Sequence, residues 1–111
     1  MGEEMKIHDI ELDSGRSLRL LVPPQGCEHL DQIHEVTPSS SGCEECLQAG
    51  DDWVHLRLCR FCGHVGCCDN SKNRHATKHH DQSGHDIIQS FEAGEDWMYC
   101  YVEDVFMEPV A

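Results

Sequence analysis

Positive charge is scarce in this chain: eight Lys and Arg stand against twenty-one Asp and Glu, for a formal charge of -13 over 111 residues. A nucleic-acid binder needs clustered cations to displace counterions from phosphates, so DNA and RNA are not expected as partners, nor are anionic membrane surfaces. Long apolar runs are missing too. The opening Met1-Gly2-Glu3-Glu4-Met5-Lys6 is acidic and leads into alternation, so neither a secretory leader nor a transmembrane helix is expected. The cytoplasm, which is reducing, is the expected compartment, and there cysteines mixed with histidines point to metal before disulfides. Aromatic residues are few: Trp53, Trp97, Tyr99, Tyr101, Phe61, Phe91 and Phe106. A chain of this length forms one domain, and one with so thin a core needs a staple.

What the chain has in quantity is eight cysteines and nine histidines. The elements that would carry them read as α+β, a small zinc-stabilised domain with an antiparallel sheet and one or two short helices. Residues 7–12 and 16–22 are alternating runs around Asp13-Ser14-Gly15, a β-hairpin over residues 1–22 that packs on a domain spanning 23–111. Residues 53–58 read as a strand with Val54, Leu56 and Leu58 on its buried face. Asn70 or Ser71 is placed to cap a helix running to about His80, with Gly84 where the chain leaves it. Residues 87–91 and 97–102 are strand-like, separated by Glu92-Ala93-Gly94-Glu95-Asp96.

The strongest signal lies between Cys43 and His85: Cys43-x-x-Cys46, Cys59-x-x-Cys62, Cys67-Cys68, His75-x-x-x-His79 and His85. Structural zinc takes four thiolate or imidazole ligands, and a two-residue gap lets one tight turn offer two thiolates to one ion. Two such knuckles need four more ligands, and Cys67, His75, His79 and His85 supply them, leaving Cys68 and His80 as bystanders. His8, His34, His55 and His64 sit in no paired spacing and read as ordinary histidines. Residues four apart on a helix share a face, so spacing alone lets His75 and His79 hold one ion together. Cys27-x-His29 and Cys100 suggest a third site, its fourth position open to Glu103, Asp104, Cys68 or water.

Cys27-Glu28-His29, Cys43-x-x-Cys46, Cys59-Arg60-Phe61-Cys62-Gly63-His64-Val65-Gly66-Cys67, Asn73-Arg74-His75-Ala76-x-x-His79 and Ser83-Gly84-His85 together resemble the UBP-type zinc finger of ubiquitin-specific proteases, a histone deacetylase and a RING-containing ubiquitin ligase. The likeness covers about residues 27 to 106. It implies interleaved sites, with Cys43, Cys46, Cys67 and His75 on one Zn2+ and Cys59, Cys62, His79 and His85 on another. It also implies a third ion on Cys27, His29, Cys100 and a cysteine three residues later, where this chain has Glu103.

Members of that family bind the free Gly-Gly carboxylate of ubiquitin through an arginine just after the Cys-Gly of the third knuckle, with aromatics beside it. Here Cys68-Asp69 stands at that point and Arg57 replaces a tryptophan before the second knuckle, while Tyr99 and Tyr101 match aromatic positions. An aspartate there repels a carboxylate. The expectation is therefore a monomeric protein- or peptide-tail-binding module, related to ubiquitin-tail binders, with Arg57, Asp69, Tyr99 and Tyr101 as candidate contacts and another tail as ligand. An enzyme is not expected: Ala76 stands where the H-E-x-x-H motif of zinc proteases has its glutamate, and neither C-x-x-C follows the proline of the deaminase motif. A zinc reservoir or thiol sensor, prompted by the adjacent Cys67-Cys68 and the incomplete third site, is the alternative; it requires exposed, acidic thiols.

Overall fold

The alternating N-terminal runs fold as expected: strands β1 (Lys6–Glu11) and β2 (Ser17–Val22) pair antiparallel, with Lys6 opposite Val22 and Glu11 opposite Ser17. This computed structural model describes residues 4–110, so the first three residues of the hairpin segment and Ala111 lie outside the described residues. A single 3-10 turn (Leu30–Gln32) follows, then helix α1 (Glu44–Ala49), strands β3 (Leu56–Cys59) and β4 (Val65–Cys67), and helix α2 (His75–Ser83). Strands β5 (Ile87–Ser90), β6 (Met98–Cys100) and β7 (Val105–Pro109) complete a seven-stranded sheet in the order β1-β2-β7-β6-β5-β3-β4. Each pairing is antiparallel.

The last strand was not anticipated, although its sequence carries the period of two. Val105 and Met107 are buried while Phe106 and Glu108 face outward. It joins the hairpin to the rest: Leu20 pairs with Pro109 and Leu21 with Glu108 on one side, and Met98 pairs with Met107 on the other. Leu20, Val22, Ile33, Ile87, Met98, Val105 and Met107 form one apolar cluster, and Leu56, Leu58 and Val65 form a second among Cys43, Cys46 and Cys67. The second cluster is small and half made of cysteine, as the shortage of aromatics implied.

Three elements have boundaries that differ from expectation. Strand β3 begins at Leu56 because the Val54 amide donates to the Ser71 hydroxyl (2.8 Å) instead of to a neighbouring strand, leaving the Val54 side chain 54% exposed. With its hydroxyl engaged there, Ser71 does not cap α2. That helix starts at His75, preceded by Arg74 in the left-handed region (φ 48, ψ 49), and its first amide donates to Cys67 Sγ (3.2 Å). At the other end Gly84 is left-handed (φ 74) and donates to the His80 carbonyl, so the helix runs three residues beyond its expected end before the glycine stops it. The strand expected over 97–102 is confined to β6, because residues 101–104 turn and Asp104 takes φ 54.

A close backbone approach brings β4 against the start of α2. A methyl group at Gly66 would stand 2.7 Å from the Ala76 nitrogen and 2.9 Å from its Cα, backbone atoms that cannot swing aside. This contact puts Cys67 next to His75. Gly66→Ala is expected to destabilise the zinc-loaded protein by about 1–3 kcal/mol, the usual cost of overpacking; the exposed Ile7→Ala should stay within about 0.5 kcal/mol. Guanidinium unfolding of both variants checks this, and equal midpoints would disprove the contact's role.

Candidate metal centres and the adjoining cavity

Four cysteine- and histidine-bearing segments converge at the junction of α1, β3, β4 and α2. Cys43 lies at the N-terminus of α1 and Cys46 one turn into it, Cys67 ends β4, and His75 opens α2. Their donor atoms lie within 4.8 Å of one another. His75 Nδ1 is 3.2 Å from Cys43 Sγ, 3.4 Å from Cys46 Sγ and 3.6 Å from Cys67 Sγ, and the Cys46 and Cys67 sulfurs are 3.9 Å apart. Two thiolates on a tetrahedral zinc with Zn–S near 2.3 Å stand about 3.8 Å apart. These separations are therefore the edges of a zinc tetrahedron, and the donor set fits the ion.

A second set joins Cys59 and Cys62, at the end of β3 and in the turn beyond, to His79 and His85. Cys59 Sγ is 3.5 Å from His85 Nδ1, and Cys62 Sγ is 3.3 Å from His79 Nε2. The alternative left open by spacing is thereby decided: His75 and His79 share a helix but go to different clusters. Burial, with His64 and His85 nearby, holds His79 down to about 4, so its ring is neutral and its lone pair free to coordinate at neutral pH. Burial pushes the thiols the other way, Cys43 and Cys27 up to about 12 and Cys59 up to about 11. Packed thiols of this kind stay protonated unless a cation replaces their protons.

The third set brings together residues far apart in the chain: Cys27, His29, Cys100 and Glu103. Glu103 Oε1 lies 2.6 Å from His29 Nδ1 and 3.2 Å from Cys100 Sγ, so among the fourth donors considered the structure selects this carboxylate. The His29 ring holds the Glu103 carboxyl down at about 2. Two thiols, an imidazole and a carboxylate are within zinc's ligand range. The two bystanders are placed elsewhere. Cys68 is 4% exposed with its sulfur 3.5 Å from the Ser71 hydroxyl, and His80 pairs with Asp86 (3.0 Å) and stacks on Tyr101.

His64 is a residue whose part spacing did not reveal. Only 9% exposed, it stacks on His79 with centroids 4.1 Å apart and donates from Nε2 to the Glu45 carboxylate at 2.9 Å. It thus fixes the plane of a ring in the second cluster from α1, an arrangement that needs the third dimension to be seen.

Residues 43–110 match the family described as the Zn-finger in ubiquitin-hydrolases and other protein. The chain is a UBP-type zinc finger. It binds zinc, as the family and the three sulfur-bearing donor sets require. This zinc finger is also similar to a protein of Rhodopseudomonas palustris known from a solution NMR structure, with 54% identity, a TM-score of 0.70, and coverage of 75% of this chain and 81% of that one. The hairpin and the Cys27-x-His29 pair precede the matched residues, yet the same sheet and the third donor set include them.

Beside the metal clusters, between β3, β6, β7 and the start of α2, lies a cavity of about 330 Å³. Arg57, Asp69, Tyr99 and Tyr101, the four candidate contacts, all line it, with Trp97, Thr77, Asp104 and Phe106. The Arg57 guanidinium lies over the Trp97 ring at 4.6 Å and donates to the Leu56 carbonyl (3.0 Å). Thr77 donates to Asp69 (2.5 Å), and the Tyr99 hydroxyl donates to Asp104. That bond, with Asp104's charge beside it, pushes the Tyr99 phenol up to about 12.

Two outcomes follow for the metal. Stripping zinc from the loaded protein with a strong chelator is expected to collapse amide dispersion, because the second core loses its staple; a dispersed spectrum with an unchanged melt would contradict this. Acid should act likewise. Protons compete with zinc for thiolates and imidazoles, so stability is lost as pH falls. His79 adds to this between its unfolded value of 6.5 and about 4, where the unfolded chain binds a proton that the folded one does not. Melting temperature against pH, followed with released zinc, reads both.

Proposed function

We propose that this zinc finger is a non-catalytic peptide-recognition module of the cytoplasm, held by three zinc ions, that binds a protein's C-terminal tail in the Arg57 cavity. The ligands assigned are Cys43, Cys46, Cys67 and His75; Cys59, Cys62, His79 and His85; and Cys27, His29, Cys100 and Glu103. Zinc supplies no chemistry here beyond holding the fold, since each set already contains four protein donors and a hydrolytic zinc keeps a position for water. The thiol-sensor alternative asks for an exposed, acidic cysteine. Cys67 and Cys68, the adjacent pair that helped prompt it, are both buried.

The observation that carries the reading is Arg57. Its guanidinium stands on the wall of an aromatic cavity, stacked on Trp97, and among the described residues its side chain hydrogen-bonds the Leu56 carbonyl and pairs with no carboxylate. A planar cation presented in this way, with donors to spare, suits a carboxylate. It supplies from β3 the charge that the family's arginine supplies from the third knuckle. Asp69 stands at that knuckle instead, which argues against the plain Gly-Gly tail of ubiquitin as the ligand.

Two titrations test this. A Gly-Gly-carboxylate peptide should give no saturable chemical-shift changes. An array of free C-terminal peptides should contain binders whose affinity falls about tenfold to a hundredfold on amidation of the tail or in Arg57→Gln, as for loss of a charge-assisted hydrogen bond. Saturation with the Gly-Gly tail, or binders indifferent to Arg57→Gln in a protein of unchanged zinc content, would overturn the proposal.

A further inference from the structure

The cavity carries more than the cation just described. Asp69 and Asp104 line the same walls, both exposed, and each uses one hydroxyl donor, Thr77 for Asp69 and Tyr99 for Asp104. A carboxylate has about four acceptor sites on its two oxygens, so each keeps acceptors free toward the cavity. Against Arg57 the walls thus hold two negative charges. A ligand offering only a carboxylate would satisfy Arg57 and meet net repulsion from the rest.

From this, and resting on the reading of Arg57 above, we infer that the ligand is a zwitterionic tail, a protein C-terminus whose last residue is Lys or Arg. The terminal carboxylate meets Arg57, and the basic side chain meets Asp69 and Asp104. Aromatic rings favour the same charge. The structure already shows one guanidinium held over Trp97, and the Tyr99 and Tyr101 rings stand nearly perpendicular to each other (82°) in the same walls. The overall charge of -13 draws a net-basic tail toward the molecule.

A tail is preferred to a free amino acid because of Phe106. It is 57% exposed on the cavity wall, packed edgewise on Trp97 and tilted on Tyr99, and offers apolar surface to a chain continuing outward from the charged end. A free amino acid would leave that surface in water.

The test uses the zinc-loaded full chain, with Trp97 fluorescence and calorimetry as readouts. The probes are hexapeptides of one sequence ending in Lys or Ala, each as free acid and as amide, together with free lysine. The Lys-ended acid should bind at least about tenfold tighter than the Ala-ended acid, as expected for a charge-assisted contact, and the preference should shrink with added salt. Asp69→Asn with Asp104→Asn should erase the preference and tighten the Ala-ended acid, which is then freed of their repulsion. Native mass spectrometry confirms unchanged zinc content in the double variant. Equal binding of the Lys- and Ala-ended acids, with both weakened by amidation, would overturn the inference and leave the Arg57 reading standing. Equal binding of acid and amide would overturn that reading and this inference with it. Free lysine binding as tightly as the Lys-ended peptide would overturn the assignment to a tail.

Discussion

A divalent ion held by buried sulfur and imidazole is the constraint on which this molecule depends. Packing pushes the Cys43 thiol well above its ordinary value, so without a cation the second apolar cluster would hold protonated, weakly interacting groups around three aliphatic side chains. With the ion, those same groups become the strongest bonds in that half of the domain. The first cluster, built from Leu20, Ile87, Met98 and Met107, is of ordinary apolar kind and lies across the sheet's other half. The half around Leu56, Leu58 and Val65 therefore leans on coordination, while the other is chiefly apolar burial with Cys100 of the third donor set among it.

Interleaving follows from how α2 meets the sheet. Gly66 lets β4 approach the first turn of α2 within backbone contact, which places Cys67 beside His75. One turn later the same helix delivers His79 to the knuckle of Cys59 and Cys62, where His64 clamps its ring. Each cluster thus ties elements that the other also touches, and losing one loosens both. The third donor set does a different job. It links the segment after the hairpin to the turn after β6, and its carboxylate member already pairs with His29.

The cavity sits on the family's frame but carries its own charges. The metal sets and the sheet hold the walls, and none of the assigned metal ligands lines them. Arg57 on β3 and Asp69 after the third knuckle move charge across a cavity whose aromatic lining, Tyr99 and Tyr101, stays on the strand and turn where it was expected. In the proposed role, charge placement there would set which tail is accepted.

The candidate metal donors, the order of the knuckles, the hairpin and the helix around His75 and His79 were all legible from spacing, because metal-donor pairs and alternating strands leave short-range periods in the chain. Interleaving came only through family resemblance, since a helical repeat of four is equally consistent with shared or separate ions. β7 and the true start of α2 went unread: one depends on a partner strand far away in sequence, the other on a Ser71 hydroxyl claimed by Val54. Residue type and spacing by themselves determined that this chain captures zinc, because coordination chemistry is local to a knuckle. Tertiary structure alone decided that Glu103 joins Cys27, His29 and Cys100, that His64 braces His79, and that Arg57 faces Asp69 and Asp104 across one cavity. Those are meetings between distant segments, and the sheet order that produces them is set by which strands bury one another, a property of no single stretch of sequence.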